Sequence, residues 1–318
     1  MTDPDAFRGS RCLVTGGAGF IGSNLTRGLL RSGARVTVVD NFSTGARGNL
    51  PGEGALEVFD ADVASDPRLP DLVREADYVF HLAAQVGNLR SIEETEEDAR
   101  TNVLGTVRLL RACRNARVRK FVYSSSSAIF GEAERIPIDE SHPVRPASFY
   151  ALSKLTGERY ARLAADLWGV PTVCLRYFNV FGEPMAPNEY SGVIWTFFDR
   201  LSRQLPLTIY GDGEQVRDFI YVADVVRANL LAAESAKRGA IYNVGTGKET
   251  RISDLARTMI ALTGRSSEIV HADFRAGEVR RSLADISRAR AELGFEPSYD
   301  LRRGLLELWA GQTGPRGG

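Results

Sequence analysis

Short apolar runs alternate with helical patterns through the first half of the chain. The runs are rich in valine, leucine and phenylalanine, and they lie at residues 12–15, 36–40, 78–82, 121–124 and 173–177. Between the first two runs, apolar residues recur at helical spacing from Phe20 to Leu30, and Gly33 follows where the end of a helix favours glycine. This alternation predicts an α/β fold in which helices cover both faces of a parallel sheet.

The second half of the chain is less regular and predicts a smaller lobe. Beyond Gly182, prolines and glycine-containing turns interrupt the pattern. Because 318 residues exceed a typical single domain, we expect one domain at residues 1–180 and a second, mainly substrate-binding lobe at residues 181–318. Residues 222–233 have a regular helical pattern, so we expect a return to the first domain near residues 217–245.

The balance of charge argues against a polyanionic partner. The chain has 40 lysines and arginines and 40 acidic residues, so it lacks the basic excess typical of nucleic-acid binding. We therefore expect no nucleic-acid partner. A neutral total still allows a local positive site, and an anionic small molecule remains a candidate ligand.

The cysteines and the first residues of the chain give negative information. Cys12, Cys113 and Cys174 lie in apolar stretches without a Cys-x-x-Cys motif or a cluster with histidine, so they are predicted to be core residues and indicate no metal site. No basic segment precedes an apolar run near the beginning, and no stretch approaches the roughly 18 apolar residues of a membrane span. We expect a cytoplasmic protein with no membrane partner.

A glycine-rich turn follows the first apolar run. Gly16, Gly19 and Gly22 stand three residues apart at the start of the first helical pattern, with Phe20 and Ile21 between them. Missing side chains let the backbone turn tightly, let a diphosphate approach the helix N-terminus and let the helix pack on the strand. The turn predicts a dinucleotide site, with a simple tight turn as the alternative.

A carboxylate at the end of the second run indicates which dinucleotide binds. Asp40, followed by Asn41, lies where it can accept hydrogen bonds from the adenosine ribose and repel a 2′-phosphate. The sequence therefore predicts NAD as cofactor, although Arg47 leaves NADP open. Asp62 and Val63 lie between the second and third of these runs and are candidate adenine contacts, with a plain turn as the alternative.

A tyrosine and a lysine carry the predicted chemistry. Tyr150 and Lys154 are four residues apart and therefore lie on one helix face. A phenol is a poor base at neutral pH, and a nearby ammonium is expected to lower its pKa and favour the phenolate. Upstream, residues 124–127 are four serines in a row after a strand, a pattern suited to holding a sugar hydroxyl or typical of a loop.

Taken in order, these motifs resemble the extended short-chain dehydrogenase/reductase family, and within it the UDP-sugar 4-epimerases. The resemblance covers nearly the whole chain and implies a Rossmann-type doubly wound sheet with a smaller C-terminal α/β lobe. It rests on residues 15–22, 40–45, 81–84, 102–106, 123–131, 150–154, 175–179, 211–218 and 243–247.

The resemblance implies roles for individual residues of the first domain. Ser126, five residues before Gly131, would be the catalytic hydroxyl, Tyr150 the base, and Lys154 a holder of the nicotinamide ribose, with Ser125 a second contact to substrate. Tyr177 would lie against the nicotinamide. The full set of implied cofactor contacts is Gly16, Gly19, Phe20, Ile21, Gly22, Asp40, Asn41, Asp62, Val63, Leu82, Ala83, Ala84, Tyr150, Lys154 and Tyr177.

It also implies a nucleotide-sugar site in the second lobe. Asn179 would lie near the nucleotide phosphates, Arg217 and Arg275 would clamp the diphosphate, and Glu278 would bind the uridine ribose. The position that limits bulk at the sugar 2-position is Ser282, which is small enough for a 2-acetamido sugar. Either uracil or thymine remains open as the base.

The implied reaction has no net oxidation. Tyr150 takes the proton of the sugar 4-hydroxyl while hydride passes from C4 to NAD⁺, which gives a bound 4-keto sugar. Rotation about the diphosphate linkage presents the other face of the sugar, and hydride and proton return to give the C4 epimer. NAD would then act as a tightly held catalyst.

Other reactions of the same family remain as alternatives. Related 4,6-dehydratases carry an Asp-Glu pair just after the catalytic hydroxyl, where this chain has Ser127 and Ala128, and the glutamate of decarboxylase relatives is also missing. Leu89 and Arg90 depart from the arginine placement expected of the glucuronate-specific relatives, which disfavours that option without removing it. A UDP-glucuronate 4-epimerase, a dehydratase, a decarboxylase, a reductase and a non-catalytic NAD-binding regulator are the other hypotheses.

Members of this family commonly form dimers through two helices from each subunit. The candidates are the stretch near residues 97–112 and the helix that carries Tyr150. We expect a homodimer.

Overall fold

The computed structural model describes residues 6–52, 54–184, 192–274 and 278–313. Its strands are β1 (Arg11–Thr15), β2 (Arg35–Asp40), β3 (Leu56–Asp60), β4 (Tyr78–His81), β5 (Lys120–Ser126), β6 (Thr172–Tyr177), β7 (Asn179–Phe181), β8 (Leu207–Tyr210), β9 (Val216–Arg217), β10 (Phe219–Tyr221), β11 (Ala240–Val244), β12 (Thr250–Arg251), β13 (Ile269–Ala272) and β14 (Arg281–Ser282).

Helices connect most of these strands. They are α1 (Phe20–Arg31), α2 (Leu69–Glu75), α3 (Asn88–Glu93), α4 (Thr95–Asp98), α5 (Thr106–Arg114), α6 (Phe149–Trp168), α7 (Val193–Ser202), α8 (Val222–Glu234), α9 (Ile252–Thr263), α10 (Ser287–Leu293) and α11 (Leu301–Thr313). A π-helical segment, Ala99–Gly105, makes α4 and α5 continuous.

Seven parallel strands form the central sheet, in the order β11-β6-β5-β4-β1-β2-β3. The strand order runs outward in both directions from β1, since β2 pairs with one of its edges and β4 with the other. This confirms the predicted doubly wound α/β fold. Strand β11 comes from beyond residue 181 and pairs with β6, so the order of the sequence does not separate the two lobes.

Two hydrophobic layers cover the sheet, one on each face. Leu25 and Leu29 of α1 pack with residues of α8 and α10 on one side. Leu109 and Leu110 of α5 pack with residues of α2 and α6 on the other. Because both faces are covered, successive strand residues are buried whichever way they point, which explains why the strands are continuous apolar runs.

The second lobe has its own core between short strands and helices α7, α9 and α11. Phe197, Phe198 and Leu255 are buried there with residues of β8, which pairs with β13. In a separate small sheet, β9 lies between β12 and β14. This sheet places Ser282 opposite Arg217.

The carboxyl ends of the parallel strands all meet at one edge of the central sheet. The glycine turn follows β1, residues 82–87 follow β4 and the serine segment ends β5, so the predicted cofactor and catalytic residues are gathered there. Elsewhere, all three cysteines are buried, as their apolar surroundings predict. Among the described residues, no helix combines the length and apolar character that crossing a membrane requires.

Candidate active site

A glycine turn joins β1 to α1 and borders a cavity of about 430 Å³. Gly16 has a φ of +70°, which residues with side chains rarely adopt, and a Cβ there would lie 2.6 Å from the backbone nitrogen of Ala83. A Cβ at Gly22 would lie 2.0 Å from the carbonyl oxygen of Gly16. Both positions therefore require glycine if the turn is to pack against α1 and the segment after β4.

The N-terminus of α1 provides donors for an anion. The helix begins at Phe20 with Gly19 as its N-cap, and no side chain caps its first N–H groups. Gly19, Phe20, Ile21 and Gly22 all line the cavity. Free N–H groups and the helix dipole both favour negative charge at such a position. The turn therefore fits the diphosphate that the sequence predicts here.

Asp40 is held in place by the backbone of the turn and of the segment after β2. Its Oδ2 accepts from the backbone N–H of Ala18 at 2.9 Å, and its Oδ1 accepts from that of Phe42 at 2.9 Å. The carboxylate is buried and lines the cavity. Each oxygen has a further lone pair for a ribose hydroxyl, so the geometry fits the predicted role of Asp40.

Asp62 is engaged more fully than the sequence suggests. Arg100 donates to both of its oxygens at 3.0 and 2.8 Å, and the backbone of Ala64 and the side chain of Asn41 donate at 2.7 and 3.2 Å. Burial acts to raise the pKa of Asp62, but these hydrogen bonds and the charge of Arg100 hold it below its ordinary value. Four donors already occupy the carboxylate, so an adenine contact there stays a prediction.

The remaining predicted cofactor residues also lie around the cavity. They come from the segments after β2, β3 and β4 and from the end of β6, and they are Asn41, Val63, Leu82, Ala83, Ala84 and Tyr177. Tyr177 has its hydroxyl fixed away from solvent, because it donates to Asn229 Oδ1 at 2.9 Å and lies 3.0 Å from Ser124 Oγ. The ring is thereby held at the cavity wall.

Ser126, Tyr150 and Lys154 meet in the same cavity. Ser126 ends β5, while Ser148 caps α6 by accepting from the backbone N–H of Ala151 at 3.1 Å, which sets Tyr150 in the first turn of the helix. The side chains of Tyr150 and Ser126 are near enough for Ser126 to influence the pKa of the phenol, and Lys154 lies one helical turn further along. The arrangement places a phenol, a hydroxyl and an ammonium around one point.

Burial controls the ionisation of this group. It raises the pKa of Tyr150 to about 12, against the opposing hydrogen bond with Ser126. It lowers the pKa of Lys154 to about 8, although Asp98 and other negative groups oppose the change. Burial is therefore the largest influence on the pKa of Tyr150, and the expected effect of Lys154 on that pKa stays a prediction.

The serine segment divides between two faces of β5. Ser124 and Ser126 point to the cavity side, whereas Ser125 Oγ donates to Glu158 Oε2 at 2.8 Å on the side of α6. Glu158 is buried and accepts two further hydrogen bonds from Arg176 at 2.7 and 2.9 Å. Because side chains of a strand alternate, Ser125 Oγ turns away from those of Ser124 and Ser126. Ser125 still lines the cavity with both of them, and its contact with substrate stays a prediction.

The predicted substrate residues divide into two groups. Ser125, Ser126 and Tyr150 line the described cavity, whereas Asn179, Arg217, Glu278 and Ser282 do not. Arg217 faces Ser282 across β9 and β14, and its guanidinium lies 3.3 Å from Glu278. Asn179 begins β7 and donates through Nδ2 to the carbonyl oxygen of Asp218 at 3.3 Å. Arg275 lies outside the described residues.

Comparison with known proteins agrees with this geometry. The sequence profile of the NAD-dependent epimerase/dehydratase family matches residues 12–245, which is well over half of the chain. The chain belongs to this family. Membership confirms the resemblance found in the sequence and the prediction of an NAD-dependent enzyme.

Three relatives are similar to this chain over almost their whole length. A UDP-glucose 4-epimerase of Mycolicibacterium smegmatis is 38% identical over 93% of this chain and 96% of its own. The structure of a UDP-N-acetylglucosamine 4-epimerase of Methanobrevibacter ruminantium, in complex with UDP-N-acetylmuramic acid, has a TM-score of 0.91 at 36% identity, covering 95% and 97%. That of a Thermus thermophilus UDP-glucose 4-epimerase with NAD has a TM-score of 0.87 at 36% identity, covering 94% and 97%.

The residues of this chain fit the NAD of the family. Side chains at Gly16 or Gly22 would fill the turn, the first N–H groups of α1 have no side-chain cap, and Asp40 is fixed at the end of β2. A negatively charged Asp40 also disfavours the 2′-phosphate of NADP. NAD is the cofactor, as the sequence predicts.

The cavity is also lined by residues that were not predicted from the sequence as cofactor or substrate contacts. Gln85 and Arg90 both donate to Glu94 Oε2, at 2.8 and 3.0 Å, and both line the cavity with Glu97 and Thr101. No family motif marks these positions, and α3, which carries Arg90, is only six residues long. Their selection would have required knowing that this segment folds over the edge of the sheet.

Proposed function

We propose that this protein is a 4-epimerase of a nucleotide sugar. UDP-glucose and UDP-galactose are the first candidates, and UDP-N-acetylglucosamine and UDP-N-acetylgalactosamine the second. The observation that carries the proposal is the set of Ser126, Tyr150 and Lys154 in one cavity, with no carboxylate at the two positions that follow Ser126. The position after Ser126 begins a short 3-10 helix with Ser127 and Ala128, where elimination of water would need an acid and a base.

The carboxylates that do line the described cavity lie elsewhere. They are Asp40, at the end of β2, Asp62, after β3, and Glu97, in α4. Asp62 and Glu97 are both bound by Arg100, which also holds them away from acid and base chemistry. The cavity therefore supports transfer of a proton and a hydride better than dehydration or decarboxylation.

In the proposed mechanism, Ser126 and Tyr150 bind the sugar 4-hydroxyl through their hydroxyl groups. Tyr150 Oη takes the hydroxyl proton in the forward half of the reaction and returns it in the second half. NAD⁺, when bound, supplies a hydride acceptor at C4 and a positive charge in the cavity. That charge favours the phenolate of Tyr150, whose pKa burial otherwise raises to about 12.

Lys154 has two roles in this proposal. Its pKa of about 8 leaves it mostly cationic at neutral pH, so it favours the ionised form of Tyr150 while it binds the nicotinamide ribose. Because the cationic form is required, its contribution is present below pH 8 and is lost as the pH rises through that value.

The second lobe anchors the nucleotide while the sugar turns. Arg217 is mostly buried and already faces a carboxylate, Glu278, so a diphosphate can replace that partner without leaving the guanidinium unpaired. Ser282 is half-buried beside it. Its small side chain supports acceptance of a 2-acetamido group. Arg275 and the uridine contact of Glu278 remain part of the proposal.

We infer that two copies associate through α3, the continuous helix 95–114 and α6. Most of the large apolar side chains that are exposed in the described part of the chain lie on these helices or beside them. They are Val86, Leu89, Ile92, Leu104, Phe149, Leu152, Tyr160, Leu163 and Leu167. Exposed apolar area of this extent is typical of a subunit interface. Light scattering at micromolar concentration should give a dimer, and a monomer would contradict the inference.

One experiment separates the reaction types. The purified protein is incubated with UDP-glucose, UDP-N-acetylglucosamine, UDP-glucuronate and their dTDP counterparts, and the products are identified by NMR. We expect C4 epimers without net redox change. Loss of water or carbon dioxide, or net oxidation of the sugar, would contradict the proposal and favour the dehydratase, decarboxylase or reductase alternatives. A cytoplasmic location stays a prediction from the sequence.

A further inference from the structure

Lys154 is buried against an aromatic ring that no motif connects with catalysis. Its ammonium nitrogen lies 4.6 Å from the centroid of the Tyr123 ring. Tyr123 is 1% exposed and Lys154 4%. Tyr123 precedes the serine segment on β5, and its side chain points to the α6 face because that of Ser124 points to the cavity. The Tyr123 ring therefore packs directly against the Lys154 ammonium.

The ring of Tyr123 is held in this position from several directions. Its hydroxyl donates to the carbonyl oxygen of Lys154 at 3.3 Å. A Cβ at Gly157 would lie 2.2 Å from the same hydroxyl, so the glycine leaves just the space that the phenol occupies. The ring of His81 is 5.7 Å away on the other side. The ring and the backbone of α6 are thereby fixed relative to each other.

The carboxylates around Lys154 are committed to other donors. Asp98, from α4, accepts from Asn102 Nδ2 at 2.9 Å. Glu158, one turn along α6, accepts from Ser125 and Arg176. Across the described residues, no side-chain acceptor is hydrogen-bonded to the Lys154 ammonium. The carboxylates therefore act on it only through space.

The other titratable groups that face Lys154 are neutral at pH 7. Burial lowers the pKa of His81 to about 3, and it raises those of Cys174 and Tyr123 well above their ordinary values. Tyr150 is the remaining neighbour, and its pKa is also raised. The negative face of the Tyr123 ring, 4.6 Å from the ammonium, then adds to the attraction that Asp98 and Glu158 exert on the buried charge.

The geometry points to Tyr123 as a positioning residue whose aromatic face keeps Lys154 cationic and in place beneath the cofactor site. A cation over an aromatic face is stabilised more strongly when water is excluded, as it is here. Removal of the face is expected to lower the pKa of Lys154 by on the order of one pH unit, and thereby to move the loss of activity at high pH to a lower pH.

The chain is unusually suited to a direct test, because its lysines are only Lys120, Lys154, Lys237 and Lys248. In the full-length protein with ¹³C-labelled lysine ε-carbons, each resonance can be titrated by NMR, and Lys154→Arg assigns the one of interest. The measurement needs no substrate, so its failure is distinguishable from failure of the proposed reaction. Lys120, whose pKa burial lowers to about 8, serves as an internal control on the same strand, because its ammonium donates to the carbonyl oxygens of Ser235 and Lys237.

Three changes at position 123 separate the ring face from the rest of the side chain. Tyr123→Phe keeps the face and loses the hydroxyl, pentafluorophenylalanine keeps the shape and removes the negative face, and Tyr123→Leu removes the ring. We expect an unchanged Lys154 titration in Tyr123→Phe and a lower one in the other two, with Lys120 constant in all. The same Lys154 titration in the phenylalanine and pentafluorophenylalanine proteins would overturn the inference, even if Tyr123→Leu does not fold.

Discussion

The cofactor edge of the central sheet and the substrate side of the second lobe are held in different ways. At the sheet edge, main-chain groups fix the site: Gly16 packs on Ala83, and backbone N–H groups bind Asp40. In the second lobe, side-chain ion pairs fill the site, as between Arg217 and Glu278. Under the proposed function, the first region suits a ligand that stays bound, and the second suits one that leaves after each turnover, because an ion pair can exchange its partner.

The largest effect on kcat is expected at Tyr150, the proposed base, which lies at the cofactor edge of the sheet. Tyr150→Phe removes only the hydroxyl and should lower kcat by on the order of 10³-fold, because general acid and base catalysis is lost. Bound NAD, measured by absorbance after denaturation, should remain. Full turnover with NAD retained would show that the base is another group. Absence of any turnover in the parent protein would instead favour a non-catalytic regulator.

The next largest effect is expected in the glycine turn between β1 and α1. In Gly22→Ala, the new Cβ would lie 2.0 Å from a carbonyl oxygen of the turn, so we expect NAD affinity to fall about 100-fold, equivalent to about 2.7 kcal/mol. Gly48→Ala is the matched control, since a Cβ there has nothing within 4 Å. Isothermal titration with NAD gives both affinities, and equal values would remove the distinction between a main-chain and a side-chain site.

Substitutions in the second lobe should change the KM for the nucleotide sugar. Arg217→Ala should raise KM by about 10-fold to 100-fold. This corresponds to the loss of one charge-assisted hydrogen bond to a phosphate, which contributes about 1.5 to 3 kcal/mol. NAD affinity should not change. Arg257→Ala, which breaks an exposed pair with Asp254, should leave both quantities constant. If Arg217→Ala weakens NAD binding instead, the assignment of the two regions is wrong.

The smallest effect on turnover is expected at Ser125, and its comparison with Ser126 distinguishes the two faces of β5. Ser126→Ala should lower kcat by about 100-fold, because a donor at the reacting oxygen is lost. Ser125→Ala should leave kcat within a few-fold but reduce the free energy of unfolding by about 1 to 3 kcal/mol, because the buried Glu158 loses one of its donors. Denaturant unfolding and steady-state kinetics on the two variants give the comparison. A loss of kcat in Ser125→Ala as large as that in Ser126→Ala would support the prediction that Ser125 contacts substrate.

The parts of the site that could be predicted from the sequence depend on local rules. Gly16 and Gly22 follow from backbone sterics, Asp40 from its place at the end of a strand, and the pairing of Tyr150 with Lys154 from helical periodicity. Each requires only a few neighbouring residues, so a short stretch of sequence contains the necessary information.

The parts that could not be predicted depend on residues far apart in the chain. Arg100 reaches Asp62 across 38 positions, and Glu158 reaches Ser125 across 33. The raised pKa of Tyr150 comes from burial, which sequence spacing does not report. A motif thus identifies which groups meet at the sheet edge, but the direction of each serine and the ionisation of the base depend on packing.

The proposed return of hydride to the same carbon is the central claim, and one isotope measurement tests it most directly. UDP-glucose deuterated at C4 is converted to equilibrium by the protein without added NAD, and the product is examined by NMR and mass spectrometry. We predict UDP-galactose that retains deuterium at C4, because hydride leaves and returns on a cofactor that stays bound. Loss of the label to solvent, or a product that has lost water, would contradict the account.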